Sequence, residues 1–305
     1  MNTAKIFMAF AKGNETTDSA IVKRYTGVAP CYVLGVNPNK AKLEEIYGTT
    51  LENAPEYLST VDVDGKTVST ARIDFIVKTD PEKSNGIEML SKVALFLRKE
   101  YRFNRDKSKV QVIDKYGRTA WVTKEEAAAH AIPVYTNGPA NLDADYRPCY
   151  VGEEELTNFI KTYLNIPNVM KYVDKKWVMV DNPDECLARL ENVDKIFTGD
   201  FSELNTIVNL QPNNKIKLLF GVKTNDEGKQ YQAVYTQMFL KNGVQDYSKL
   251  DKDLQDRKAA GAYATTEFFV GDLKEYTVEA TSFATAPVSE NPFGDSVGMS
   301  DNPWA

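Results

Sequence analysis

The chain has 305 residues, 42% hydrophobic and 11% aromatic, with a net charge of −6. This supports a sizeable core in one large domain or two smaller ones, and no apolar run approaches the length that spans a bilayer. The charge is uneven: from Glu267 to Ala305 seven acids face Lys274 alone, so the body before them is neutral and compatible with an anionic ligand.

The first residues, Met1-Asn2-Thr3-Ala4-Lys5-Ile6-Phe7, lack the long apolar stretch of a signal peptide, so a cytoplasmic location is expected, in a cell or in the host of a virus. Lys5–Lys12 (KIFMAFAK) reads as a strand. Val28–Val36 reads as a second strand, weakened by Pro30 and Gly35. Asn37-Pro38-Asn39 then caps a helix over Lys40–Tyr47 that Gly48 ends. Ser59–Thr70 alternates around Asp64-Gly65, a hairpin signature, and Ala71–Lys78 continues the alternation. Ile87–Arg98 reads as strand from Lys92 onward, followed by a charged loop over Tyr101–Ser108.

Lys109–Asp114 and Thr119–Thr123 flank Lys115-Tyr116-Gly117-Arg118 as a second hairpin. Thr123 and Glu126 have capping-box spacing and open a short helix. Ala131–Pro148 reads as a long irregular connection. Gly152–Leu164 is an amphipathic helix with acids in its first turn. Further helices are expected over Asn182–Leu190, Asp200–Leu210 and within Tyr247–Tyr263. A third hairpin turns at Asn225-Asp226-Glu227-Gly228, and Thr266–Val270 is a last strand. Many short strands joined by hairpins, interrupted by a few helices, predict an α+β, mainly antiparallel protein built around one or two partly open barrels. The expected division is a globular core over 1–270 with a sub-boundary near 131–150, a linker over 271–288, and a mobile acidic tail over 289–305.

Enzyme signatures are missing: there is no phosphate-binding loop, dinucleotide fingerprint or nucleophile elbow, so no catalytic residue is assigned. Cys31, Cys149, Cys186 and the lone His130 have no metal-ligand spacing, and no metal or other cofactor is expected. Asp62 and Asp64 flank a turn where a cation site is a minor alternative. Glu44-Glu45, Glu125-Glu126 and Glu153-Glu154-Glu155 read as solvated helix faces.

Arg98–Arg118 is the richest segment for binding. Its cations are Arg98, Lys99, Arg102, Arg105, Lys107, Lys109, Lys115 and Arg118, against Glu100, Asp106 and Asp114. Tyr101, Phe103 and Tyr116 are interleaved and Trp121 follows. Single-stranded nucleic acid needs this mixture, because cations track phosphates and flat rings stack on unpaired bases. The plainer reading is a solvated charged loop beside strand aromatics. Lys23-Arg24-Tyr25, Lys171-Tyr172 and Lys175-Lys176-Trp177 are smaller clusters of the same kind.

The last residues repeat an acid-Asn-Pro-aromatic motif, as Glu290-Asn291-Pro292-Phe293 and Asp301-Asn302-Pro303-Trp304. So polar a segment does not bury enough apolar surface to offset its ordering entropy, and its rings suit a partner's pocket. The alternative is a frayed terminus without function.

A short-stranded body, a basic-aromatic segment and an acidic, aromatic-bearing tail together resemble replicative single-stranded-DNA-binding proteins, particularly those of tailed bacteriophages. The resemblance implies an OB-like core that protects single-stranded DNA during replication and recombination. It also implies a tail that recruits partner enzymes and competes with DNA for the core. On this chain Arg98, Lys99, Arg102, Arg105, Lys109, Lys115 and Arg118 would meet phosphates, and Tyr101, Phe103, Tyr116 and Trp121 would stack on bases. Phe293, Asp301, Pro303 and Trp304 would contact the partner. The tail is less acidic than is usual in that class and ends in Trp304-Ala305 rather than Phe. A viral structural or assembly protein is the alternative, and a homo-oligomer is compatible with either.

Overall fold

The computed structural model describes residues 23–131, 142–165, 170–173, 176–179 and 190–277. The expected strand Lys5–Lys12, the helix Asn182–Leu190 apart from Leu190 itself, and the tail with Phe293, Asp301, Pro303 and Trp304 lie outside these residues.

In chain order the first elements are β1 (Tyr25–Val36), α1 (Lys40–Tyr47), β2 (Leu58–Val63), β3 (Lys66–Thr79) and β4 (Leu90–Tyr101). Then come β5 (Lys109–Asp114), β6 (Thr119–Thr123), α2 (Lys124–Ala128), β7 (Tyr146–Pro148), β8 (Tyr150–Val151) and α3 (Glu153–Tyr163). They are followed by β9 (Met170–Val173), β10 (Lys176–Met179), α4 (Val193–Ile196) and α5 (Ser202–Asn209). The last are β11 (Lys215–Thr224), β12 (Gln230–Val234), β13 (Leu240–Lys241), α6 (Ser248–Ala259), β14 (Thr266–Phe268) and β15 (Lys274–Glu275).

Ten strands form one sheet in the order β12-β11-β1-β3-β4-β8, with β13 and β14 on β11, β15 on β1 and β2 on β3. The ladders of this sheet are antiparallel. The sheet curls into a half-barrel, so the expected α+β class with an OB-like, partly open barrel and helical insertions is what the chain adopts. A separate three-stranded sheet, β6-β5-β7, forms a small lobe with its own apolar cluster of Val110, Val112, Ala120, Val122, Leu142 and Tyr146. Strands β9 and β10 pair by themselves.

Alternation along the strands assigns the two faces of the large sheet. Ala71, Ile73, Phe75 and Val77 of β3, Val93, Leu95 and Leu97 of β4, and Ile216, Leu218 and Phe220 of β11 point inward. There they meet Leu156, Phe159, Ile160 and Tyr163 of α3 and Leu204, Ile207 and Val208 of α5. Residues of opposite parity point outward. Helix α6 covers only one end of that outer face, where Leu250 and Leu254 join Val28, Leu219 and Tyr235.

Local signals act as read. Asn39 accepts from Lys42 N, and Gly48 at φ 63° stops α1. Asp64 and Gly65, at φ 52° and 74°, make the turn between β2 and β3. Thr123 and Glu126 form the capping box of α2. Gly152 is required where α3 begins: its φ is 89°, and a Cβ there would lie 1.9 Å from the Phe96 carbonyl oxygen of β4.

Two boundaries differ from expectation. Residues 271–275 belong to the sheet rather than to a linker, because Val28 N donates to Gly271 O at 2.7 Å and β15 pairs with β1. Leu273, only 1% exposed, anchors that segment in the core. Within the expected irregular connection, Tyr146–Pro148 pairs with β5, so the chain returns to the small lobe before entering α3. No helix among the described residues is long and apolar enough to cross a membrane.

Candidate nucleic-acid interface

The segment Arg98–Arg118 leaves the end of β4, crosses to the small lobe and forms β5 and its hairpin turn. Its cations do not line one open groove. Arg118 is 9% exposed; its Nε donates to Asp114 Oδ2 at 2.7 Å, and its guanidinium lies 4.5 Å from the centre of the Tyr116 ring. Tyr116 is also 9% exposed. Asp114 is fully buried: Oδ1 accepts from Tyr116 N and Arg118 N, and Oδ2 also accepts from Asp143 N. The pair expected to meet phosphate and base also holds the hairpin turn together, through the inward-pointing Asp114.

Several other cations meet acids, most of them remote in sequence. Arg102 Nη1 donates to Glu154 Oε2 at 2.8 Å, and its guanidinium lies 5.9 Å from the Trp121 ring centre. Glu154 also accepts from Gln111 Nε2 at 2.9 Å and Thr119 Oγ1 at 3.0 Å, fastening the small lobe to α3. Glu153, 1% exposed, is hydrogen-bonded to Arg147. Glu153 and Glu154, read as part of a solvated face, are thus structural anchors; the acids of a helix first turn and the donors of a distant strand give no joint signal in sequence. Lys99 pairs with Asp194 at 3.2 Å, Arg98 with Glu100 at 2.9 Å and Lys115 with Asp143 at 3.2 Å. The Asp143 contact raises the Lys115 pKa, so that amine stays charged.

What remains open is the loop tip. Arg105 and Lys109 are exposed, and Lys107 makes an exposed 3.3 Å pair with Asp64 on the β2–β3 turn. Lys124, which the sequence reading left out, sits 5.5 Å from the centre of the exposed Phe103 ring. Phe103 opposes Val110 while Trp121 opposes Gln111, so the two rings lie on opposite faces of the small sheet. Tyr101 stacks on Tyr150, with centroids 5.3 Å apart and planes at 20°, leaving its ring partly exposed. Burial, then the hydrogen bond to Asp194, pushes the Tyr150 hydroxyl up to about 12, so it stays neutral.

The outer face of the large sheet holds a second group, invisible to a search for a contiguous basic run. Phe96 of β4, 63% exposed, stands directly opposite Arg72 of β3, with Arg98 two residues along the same face. Lys92 of β4, Lys78 of β3 and Lys215 of β11 share that face, with the half-buried Tyr32 and the exposed Leu34 of β1. Lys215 Nζ lies 4.7 Å from the Tyr32 ring centre and 2.5 Å from Asp80 Oδ2. Arg72 and Lys92 share a single acid, Asp74, at 3.1 and 3.2 Å, and Lys78 pairs with Glu88 at 2.6 Å. A bulge in β1 between Val33 and Gly35 turns Leu34 out beside them.

Of the smaller clusters, Lys23 pairs with Glu275 and Arg24 donates to Gln230 O, serving the β15 and β12 edges instead of joining this face. Lys171, Tyr172, Lys176 and Trp177 lie in the β9–β10 ladder. The Asp62–Asp64 alternative is not assembled: Asp62 accepts from Gly65 N and Asp64 pairs with Lys107. Among the described residues no group of His, Cys, Asp and Glu could hold a metal ion. Cys31 and Cys149 are buried free thiols, and burial raises both pKa values. Comparison with protein-family models, with curated proteins and with solved structures gives no match.

Proposed function

We propose that the protein binds single-stranded DNA with little sequence preference, across the outer face of the large sheet, and protects it during replication and recombination. The carrying observation is the exposed Phe96 ring set between Arg72 and Arg98 on a face that also carries Lys92, Lys78, Lys215 and Tyr32. An exposed ring offers any unpaired base a stacking partner, while surrounding cations follow the phosphates regardless of sequence. Strand β4 continues from this face to Tyr101, and the chain beyond it forms the Arg105–Lys109 tip, which extends the path onto the small lobe. The role is binding without catalysis, and the tail with Phe293 and Trp304 is proposed to recruit partner enzymes.

The test is fluorescence anisotropy with labelled oligo-dT at two salt concentrations, on the full chain and on a variant truncated after Val288. Affinity is expected to fall with salt, with a log–log slope of roughly −0.7 for each phosphate contacted. Truncation removes Glu290, Asp295 and Asp301 and is expected to strengthen binding. Absence of binding at low salt by both the full chain and the truncated variant would overturn the proposal.

A further inference from the structure

Strand β2 is an edge. It pairs with β3 from Leu58↔Ala71 to Val63↔Lys66, and among the described residues no strand lies on its other side. All its residues but Val63 are exposed, including the apolar Leu58 and Val61. Its composition, LSTVDV, is rich in β-branched residues, contains no proline and carries a single charge. Natural sheets usually blunt such an edge with lysine, proline or a bulge, and this one has none of these devices.

Ladder parity gives the edge a defined pattern. The β2–β3 connection is the two-residue turn Asp64-Gly65, so Val63 and Lys66 form its closing hydrogen-bonded pair. The bond from Arg72 N to Tyr57 O, 2.8 Å, keeps the same phase at the far end. The inward-bonding residues are therefore Tyr57, Ser59, Val61 and Val63. The N–H and C=O groups of Leu58, Thr60 and Asp62 point to the free side, and no other described backbone group bonds them.

We infer that β2 pairs antiparallel with β2 of a second copy of this chain about a two-fold axis at Val61. An outward-pointing residue must meet another, which restricts a self-pairing to registers that keep this parity. Centring on Val61 sets Thr60 opposite Asp62 of the second copy, and Asp62 opposite Thr60, giving ladder hydrogen bonds on both sides of the axis. Val61 meets its symmetry mate in a non-hydrogen-bonded pair, where side chains approach most closely, so an exposed apolar side chain becomes covered. Each Asp62 faces a threonine hydroxyl, and Asp64 lies in the turn beyond the ladder, paired with Lys107. Moving the centre to Thr60 sets Asp62 opposite the apolar Leu58 and Val61 opposite Ser59, which loses the valine pair, and moving it to Ser59 places Asp62 opposite Glu56, which opposes like charges. The match of Val61 with itself and of Asp62 with Thr60 makes this edge self-complementary in the Val61 register, and a second copy its occupant. The result is a closed, isologous dimer whose two large sheets become continuous.

The test is the mass of the full chain in solution without nucleic acid, by light scattering over a range of concentrations, beside two variants. The wild type is expected at twice 34.2 kDa. Thr60→Pro removes an outward N–H that β3 does not use, and is expected to give a folded monomer with the wild-type circular dichroism spectrum. Val61→Cys brings two thiols together on the axis at a separation suited to a disulfide, and is expected to cross-link on mild oxidation into a reducible dimer while the wild type does not. A wild type that stays monomeric at every concentration, together with a Val61→Cys variant that does not cross-link, overturns the inference. So does a dimer that Thr60→Pro leaves intact. Neither outcome depends on whether the chain binds DNA.

Discussion

Replacing Asp114 by alanine is expected to lower stability by about 3–5 kcal/mol, the usual cost of leaving one partner of a buried ion pair unpaired. The carboxylate is fully buried and accepts from Tyr116 N, Arg118 N, Asp143 N and the Arg118 guanidinium. Its loss removes the partner of a guanidinium that is 9% exposed, of two backbone donors in the turn between β5 and β6, and of Asp143 N in the segment before β7. Urea unfolding followed by circular dichroism should show a midpoint lower by about 1–2 M at a typical slope of a few kcal/mol per molar. Arg118→Met should be milder, because the aliphatic replacement still covers Tyr116 and Asp114 keeps its backbone donors. The folded fraction of either variant should bind oligo-dT with nearly unchanged affinity. An Arg118→Met protein of full stability that has lost strand affinity would contradict the structural role and restore Arg118 as a phosphate contact.

That contrast marks where sequence was informative. Features written in adjacent residues were legible: the Asp64-Gly65 and Asn225–Gly228 turns, the Asn39 and Thr123 caps, and the amphipathic pattern of α3. Their causes act within one or two turns of chain, through φ preferences and local hydrogen bonds. The candidate interface was not legible in the same way, because it depends on register. Arg98 to Arg118 forms a dense run of charge along the chain, yet alternation sends Phe103 and Trp121 to opposite faces, and long-range pairing assigns Arg102 to Glu154 and Lys99 to Asp194. The outer face of the large sheet draws Tyr32, Arg72, Phe96 and Lys215 from four strands spread over much of the chain. No window of contiguous residues contains that set. Only the β1–β3–β4 and β1–β11 ladders bring it together.

The second large effect is expected at Phe96. Phe96→Ala should weaken oligo-dT binding by about 1–3 kcal/mol, roughly 5- to 150-fold in Kd, the range for losing one stacked base. Stability should change by only about 0.5 kcal/mol, because the ring is 63% exposed and leaves no core cavity behind it. Salt dependence should stay as in the wild type, since a ring releases no counterions. A double variant, Arg105→Ala with Lys109→Ala, should behave in the opposite way. Both side chains are exposed and without an ion-pair partner among the described residues, so their removal should flatten the log–log salt slope by about 1.4 while stacking is retained. The two variants therefore separate stacking on the sheet from phosphate contact at the loop tip. If Phe96→Ala binds as the wild type does while Trp121→Ala or Phe103→Ala loses affinity, the strand crosses one face of the small lobe. Which of those two rings carries the loss then identifies the face, because the register of β5 places them on opposite sides.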